Sequence, residues 1–176
     1  MNRVVLYQPE KPANTGNIIR TCKAFDLKLT IIGDLTFELT DKAFRRAEMD
    51  YCIGFEIERC KTFDEFLSLH PNEIGYFVTR YSKNVYSRFD YSDNTKDRFF
   101  MFGKESTGIP KEILKKYIGK TIRIPMAIDS RSLNLSNSVA IVLSEVLRQQ
   151  NFYGLSIKEE IKGEDFLDNY PINENK

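Results

Sequence analysis

The residues of this chain that could do chemistry are concentrated in three loops, of which the first spans residues 9–22 and reads PEKPANTGNIIRTC. Its Asn-Thr-Gly turn leads into a predicted helix, which Asn14 or Thr15 could cap while backbone amides point outward to a ligand. Asn17 and Arg20 are three residues apart and therefore neighbours on one helix face. Arg20 could bind a polar or anionic ligand, and the alternative is an ion pair with a carboxylate across the fold.

The second loop, residues 102–110, reads FGKESTGIP and superficially resembles a phosphate-binding loop. That motif needs a glycine five positions before Gly103 and a serine or threonine directly after the lysine, where this chain has Arg98 and Glu105. A phosphate-binding loop is therefore excluded. Gly103 and Gly108 instead suit a tight turn whose backbone approaches a ligand closely, with Glu105 as a polar group between them.

The third loop follows a predicted strand that ends at Pro125, and it leads into the most strongly patterned helix of the chain. Two asparagines and four serines lie within the nine residues 130–138. One interpretation is that they cap the helix and turn the chain. The other is that their hydroxyls and amides bind a polar ligand, because one helix cap does not need so many.

Several other chemistries are disfavoured by the sequence. The single histidine, His70, lies in a predicted helix end and turn, where we expect a surface position rather than a role in Ser-His or Cys-His catalysis. Cys22, Cys52 and Cys60 form no CxxC pair, so we expect buried or half-buried thiols and no metal site. The N-terminus lacks a signal-peptide pattern, and no apolar run approaches the roughly 20 residues of a membrane span, so we expect a cytoplasmic protein.

The net charge of +1 excludes a general polyanion binder, but the charge is unevenly distributed. Residues 158–176 contain six acidic residues and three lysines, which leaves about +4 on residues 1–157. A local basic patch for nucleic acid is therefore possible. We expect one domain over residues 1–157 and a polar acidic tail over residues 158–176, as a short helix or a frayed end.

Short runs rich in Val, Ile, Phe and Tyr alternate with helical patterns along the chain. The predicted strands are Arg3–Tyr7, Leu29–Gly33, Phe55–Arg59, Gly75–Thr79, Arg98–Phe102 and Thr121–Ile124. The predicted helices follow the first loop, Thr62 and Pro110, and the clearest covers about 135–150. This alternation predicts a single α/β domain with a mostly parallel sheet and helices on both faces. In such a fold ligands bind where loops leave the carboxyl ends of the strands, and each of the three polar loops follows a strand.

Three strings occur in order: PANTGNIIRTC, FGKESTGIP, and IRIPM followed by SRSLNLSNSVAIVLSEVLRQ. Together they resemble the SPOUT superfamily of RNA methyltransferases, and within it the tRNA (cytidine/uridine-34) 2'-O-methyltransferases, over residues 1 to about 154. The resemblance implies methyl transfer from S-adenosyl-L-methionine to the ribose 2'-hydroxyl of wobble nucleotide 34 in the tRNA anticodon stem-loop. It also implies a homodimer with a shared site and a C-terminal deep trefoil knot, which pattern reasoning alone would have rejected as too rare.

By the same resemblance, Arg20 is the principal catalytic side chain, supported by Asn14, Glu105, Ser132 and Asn134. Guanidinium stays protonated, so we expect Arg20 to orient the hydroxyl or its adjacent phosphate and to stabilise alkoxide charge, not to act as a base. The residues implied to hold the cofactor, largely through backbone groups, are Val78, Thr79, Gly103, Ile124, Met126, Ser132 and Leu133. A side chain at Gly103 would, on this view, fill space that the adenosine needs.

RNA would dock on basic residues near the first loop, for which the candidates are Lys11, Lys23, Lys42, Arg45 and Arg46. The last three share a helix face at i, i+3 and i+4, and the alternative for them is an ordinary solvated surface. Two other functions remain open at this point. One is 2'-O-methylation of ribosomal RNA, and the other is a non-catalytic protein of the same fold that binds RNA or the cofactor.

Overall fold

In the computed structural model, which describes residues 1–38 and 54–171, one six-stranded sheet forms the centre of the fold. Its strands are β1 (Asn2–Tyr7), β2 (Lys28–Ile32), β3 (Ile57–Cys60), β4 (Ile74–Val78), β5 (Arg98–Phe102) and β6 (Thr121–Ile122). The strand order is β3-β2-β1-β5-β4-β6, and every neighbouring pair is parallel. The predicted parallel sheet is therefore confirmed, and the ends of all six strands lie within two residues of the predicted ranges.

Within the described residues, four α-helices cover the two faces of this sheet: α1 (Pro12–Ala24), α2 (Phe63–Leu69), α3 (Lys111–Lys116) and α4 (Leu135–Gln149). Successive side chains of a strand point to opposite faces, so β1 and β5 each supply both cores. Val4 and Phe100 pack with α1 and α4 on one face, whereas Val5, Phe99 and Met101 pack with α2 and α3 on the other. Burial on both faces explains why β5, with the sequence RFFMF, is almost continuously apolar.

The start of α1 differs from the prediction. The helix begins at Pro12, with Lys11 as its N-cap residue, so neither Asn14 nor Thr15 caps it. Proline favours the first helical position because its missing N–H would have had no partner there and its φ is already helical. Asn14 and Thr15 are buried within the first helical turns, and the Asn14 side chain is therefore available for contacts between loops.

The expected surface position of His70 is wrong. His70 caps the C-terminus of α2, and its side chain, only 15% exposed, lies 2.9 Å from Glu58 and 3.1 Å from Glu73. Arg3 forms ion pairs with the same two carboxylates at 3.0 Å each, and Thr30 donates to Glu58 over 2.6 Å. We call these five residues, which lie toward the amino ends of the strands, the closed-end cluster. One partner that holds His70 there, Arg3, lies 67 residues away in the sequence, which no local pattern could indicate.

The remaining sequence predictions concern cysteines and chain ends. Cys22 and Cys60 are buried free thiols as expected, and burial raises the pKa of both, whereas Cys52 lies outside the described residues. Residues 151–171 are exposed apart from the half-buried Leu155, and a 3-10 turn at Glu164–Phe166 is the helical segment described there. Across the described ranges, no helix is long and apolar enough to cross a membrane.

Candidate functional site

A cavity of about 580 Å³ opens at the carboxyl ends of β4, β5 and β6. This volume lies within the range of pockets that enclose a small-molecule ligand. The loops after β4, β5 and β6 line it, together with the first turns of α1 and α4. All seven residues predicted to hold the cofactor line the cavity: Val78, Thr79, Gly103, Ile124, Met126, Ser132 and Leu133.

Three of the polar residues predicted to act with Arg20 join the three loops by direct hydrogen bonds at this cavity. Asn14 donates through Nδ2 to Oε1 of Glu105 over 2.8 Å, and it accepts at Oδ1 from Nδ2 of Asn134 over 2.9 Å. We call these three residues the cavity cluster. Each residue comes from a different loop, so the cluster fixes the relative positions of the loops.

Asn134 also explains part of the unusual composition of the third loop. Its side chain caps α4 by accepting from the amides of Ser136 and Asn137 over 2.9 and 3.3 Å. Ser136 and Ser138 add hydroxyl contacts to the Asn134 side chain and carbonyl. The capping interpretation is thus correct for these residues, while Ser132 and Asn134 also face the cavity.

Glu105 and Glu10 form a reciprocal contact between the first two loops. Glu105 accepts from the backbone amides of Glu10 and Lys11 over 2.9 and 3.3 Å, just before α1 begins, where a negative charge is favourable to the helix dipole. Glu10 in turn accepts from the hydroxyl and amide of Ser106 over 2.7 and 2.9 Å. These two bonds from Ser106 lower the pKa of Glu10. Glu105 therefore has a positioning role that its sequence context did not indicate.

The requirement for glycine at position 103 has a different reason from the predicted one. A Cβ on Gly103 would lie 2.0 Å from the carbonyl carbon of Gly108 and 2.1 Å from the amide nitrogen of Ile109. The close approach is thus to the backbone of its own loop. A side chain there would deform the cradle before it reached any ligand.

Cations predominate around the cavity. One lining carboxylate, Glu105, faces five basic residues: Lys11, Arg80, Lys104, Lys111 and Arg131. This excess suits the carboxylate of an amino-acid moiety or a phosphate group. Within the described part of the chain, no group of three or more His, Cys, Asp or Glu side chains could hold a metal ion.

Arg20 does not share this cavity. It lines a separate groove between α1 and α4, together with Asn17, Thr21, Ala24, Phe25, Ser136, Asn137 and Ala140. Asn14 and Arg20 are six residues apart on α1, so their side chains point about 120° apart around the helix axis. Within one chain, the predicted catalytic arginine and the predicted cofactor residues therefore face different surfaces.

The predicted RNA-binding residues are only partly described. Lys11 lies at the cavity and Lys23 is exposed on α1, whereas Lys42, Arg45 and Arg46 lie outside the described residues. Sequence reasoning missed Arg80, Tyr81, Lys111 and Arg131, which also line the cavity. Arg80 and Tyr81 directly follow the predicted cofactor residues at the carboxyl end of β4, and that position was the available signal.

The chain matches the model of the SpoU rRNA methylase family over residues 1–144 and belongs to that family. The tRNA (cytidine(34)-2'-O)-methyltransferase of Escherichia coli K12 is 38% identical over 160 residues, which cover 90% of this chain and all of that protein.

Two solved structures share the fold. One, described as giving insights into the 2-OH methylation of C/U34 on tRNA, has a TM-score of 0.79 and 31% identity, covering 86% of this chain and 97% of that one. An AdoMet-bound rRNA methyltransferase from Sinorhizobium meliloti has a TM-score of 0.73 and 27% identity, covering 84% of this chain and 56% of that one. The resemblance inferred from the three loop strings is confirmed at the level of the family.

Proposed function

We propose that this chain transfers a methyl group from S-adenosyl-L-methionine to the ribose 2'-hydroxyl of nucleotide 34, cytidine or uridine, in tRNA. The observation that carries the proposal is the convergence of the three polar loops on one cavity in a member of the SpoU methylase family. The name of the Escherichia coli relative supports the choice of substrate. A tRNA substrate is also the reason for proposing a cytoplasmic location.

The cavity fits the proposed cofactor in its volume and in its donors. Val78, Ile124 and Leu133 offer apolar surface to an adenosine, while backbone groups near Gly103 and Met126 would hold its polar edges. The basic residues around the cavity would bind the carboxylate of the methionine part. When bound, the cofactor supplies an activated methyl group, so the remaining tasks of the protein are orientation, charge stabilisation and exclusion of water.

We assign to Arg20 the orientation of the 2'-hydroxyl or its adjacent phosphate and the stabilisation of developing alkoxide charge. A permanently protonated guanidinium suits that role and excludes a role as general base. The cavity cluster of Asn14, Glu105 and Asn134 would hold the loops in the geometry that this transfer needs.

Arg20 lines a groove that is separate from the cavity of the same chain, which supports a homodimer with a shared site. In this arrangement Arg20 of the partner subunit completes each cofactor cavity. A mixture of an Arg20→Ala chain and a Gly103→Ala chain should then regain activity, because the heterodimer keeps one site with both parts intact. A heterodimer that forms, as mass spectrometry can verify, but stays inactive would refute the shared site.

We also propose that the C-terminal part of the fold is knotted, as the family resemblance implies. The packing of residues 79–86 against 121–124 supports this: Ser82 donates to the Thr121 carbonyl over 2.8 Å, and Val85 pairs with Arg123. In the same proposal, Lys11 and Lys23 extend the basic surface for RNA, with Lys42, Arg45 and Arg46 added from the sequence alone. Residues 158–176 would be a tail outside the methyltransferase domain.

The test is methylation of synthetic anticodon stem-loops and of ribosomal RNA by the purified full chain. Mass-spectrometric mapping should locate the new 2'-O-methyl group on nucleotide 34, and cofactor binding should need no metal. Methylation of ribosomal RNA alone would favour the second candidate, which the description of the family names. Binding of RNA and cofactor without transfer would favour a non-catalytic protein.

A further inference from the structure

An aromatic residue at the rim of the cavity has no evident structural role. Tyr81 lines the cavity with its side chain 63% exposed, so its ring adds little to the core. Its backbone is tied to the end of β4, because its amide donates to Oγ1 of Thr79 over 3.3 Å. A large exposed ring, held at the mouth of a substrate cavity, is available for contact with a ligand.

Two cations lie against this ring. The guanidinium carbon of Arg80 is 5.1 Å from the ring centroid, and Nζ of Lys111 is 4.5 Å from it. Arg80 is anchored through Nη1 to the Arg131 carbonyl over 2.9 Å. Lys111 approaches the Thr107 carbonyl only at 3.4 Å, so its flexible, exposed side chain is easily displaced. The rim thus combines an aromatic face with one fixed and one movable positive charge.

An aromatic face with adjacent positive charges is suited to binding a nucleotide of single-stranded RNA. Every nucleobase can stack on an aromatic ring, and adjacent cations bind the phosphates on either side. We propose that Tyr81, with Arg80 and Lys111, forms a subsite that stacks the base next to the methylated nucleotide. On binding, Lys111 leaves the ring for a phosphate and the base takes its place.

The proposal rests on the proposed function, because it assumes an RNA whose reacting ribose enters the cavity. The position of the ring at the rim, and not inside the cavity with the predicted cofactor residues, favours a neighbouring base over the target base. The other exposed tyrosines of residues 1–38 and 54–171 differ in this respect. Tyr153 and Tyr170, 75% and 59% exposed, lie beyond α4 and do not line the cavity.

The experiment measures binding of an anticodon stem-loop to the full chain with the demethylated cofactor present, and then kcat and KM for methyl transfer. Tyr81→Ala should weaken RNA binding about tenfold and raise KM with little change in kcat, because stacking holds substrate and transition state alike. Tyr81→Phe should behave like the wild type, since the ring suffices. Tyr170→Ala is the matched control and should bind RNA normally.

Stem-loops that are abasic at one nucleotide beside position 34 complete the test. For one of these positions the wild type should lose about as much affinity as Tyr81→Ala loses with the intact RNA, and the two losses should not add. An unchanged affinity of Tyr81→Ala, or full additivity at both neighbouring positions, would overturn the subsite while leaving the proposed function intact. A wild-type chain that leaves nucleotide 34 unmethylated would refute the proposed function itself, and the subsite with it.

Discussion

The closed-end cluster and the cavity cluster are both polar networks that join distant parts of the chain, but they differ in charge and in access to solvent. The closed-end cluster combines Arg3, His70 and two carboxylates, and the side chains of Arg3 and Glu73 are 8% and 7% exposed. The cavity cluster contains a single charge, Glu105, among amides, and it borders an open cavity.

The pKa values of the two carboxylates in the closed-end cluster reflect their burial and their partners. Burial raises the pKa of Glu73, even beside Arg3 and His70. For Glu58, burial also opposes ionisation, but hydrogen bonds from Thr30 and His70 and the charge of Arg3 outweigh it and lower its pKa. The charged groups of this network compensate one another, so the network contributes to stability and is not suited to binding a ligand. The comparison indicates that substitutions in the closed-end cluster should change the stability of the fold, whereas those at the cavity should change activity.

The largest effect that we expect is on stability, from Arg3→Ala. This change leaves Glu73 buried without its cation, which should cost about 3–5 kcal/mol of unfolding free energy. Urea denaturation measures it, and the double variant Arg3→Met, Glu73→Leu should recover much of the loss because no unpaired buried charge remains. Methyl transfer per folded molecule should stay at the wild-type rate. A large loss of that rate would mean that the two ends are not functionally separate.

The next effect should appear only in activity, from Arg20→Ala. We expect at least about a hundredfold loss of methyl transfer, the scale of one charge-stabilising contact, with the fold and the cofactor affinity retained. Arg20→Lys should recover little, because a point charge cannot reproduce the planar fork of guanidinium. Single-turnover assays with separate binding measurements decide this, and Arg148→Ala, an exposed arginine paired with Glu145, is the control. A near-normal rate for Arg20→Ala would contradict the mechanism.

A smaller effect should follow from Glu105→Gln, which keeps the shape of the side chain and removes its charge. Its amide oxygen can replace only one of the two accepting carboxylate oxygens, so the new NH2 group faces a donor of the first loop, and the charge that favours the start of α1 is lost. We expect the unfolding free energy to fall by about 0.5–1 kcal/mol. We also expect a severalfold loss of activity, because the loops are positioned less tightly. Thermal unfolding and steady-state rates measure both, with Glu112→Gln on α3 as control. Equal rates for the wild type and Glu105→Gln would show that its charge is dispensable.

The smallest effect concerns Glu10 at the same end of the fold. Ser106→Ala removes the hydroxyl donor and keeps the amide, so the pKa of Glu10 should rise toward, without reaching, its ordinary value. Because the folded-state pKa is lowered in the wild type, the contact is present at neutral pH and lost as the pH falls through that lowered value. Carbon-13 NMR titration of the carboxyl group measures the shift. An unchanged pKa would mean that the amide alone holds the carboxylate.

The sequence was sufficient for the sheet through its local patterns, and for part of the cavity lining only through the family resemblance of the three loop strings. The apolar runs predict buried parallel strands, and the strings around Gly103 and Asn134 identify loops at the strand ends. It was insufficient where long-range contacts decide. His70 was placed at the surface because its neighbours predict a turn, whereas its position depends on Arg3 and Glu58.

The sequence prediction was also inaccurate for the start of α1 and incomplete for the residues at the rim of the cavity. The first strand-to-helix loop contains several polar residues that could cap a helix, and Pro12 rather than Asn14 decided where α1 starts. Tyr81 was missed although its position at the carboxyl end of β4 was a signal, because no local pattern distinguishes an exposed ring there from a buried one.

The central position of β1 has a consequence for synthesis of the chain. This strand is made first, and β2 can pair with one of its edges once about 32 residues exist, but its other edge pairs with β5, which starts at Arg98. At roughly 5–20 residues per second, translation exposes that open edge for some seconds before its partner leaves the ribosome. An unpaired apolar edge invites association with other chains. The yield of correctly folded protein should therefore depend on the speed of translation between the codons for β2 and those for β5.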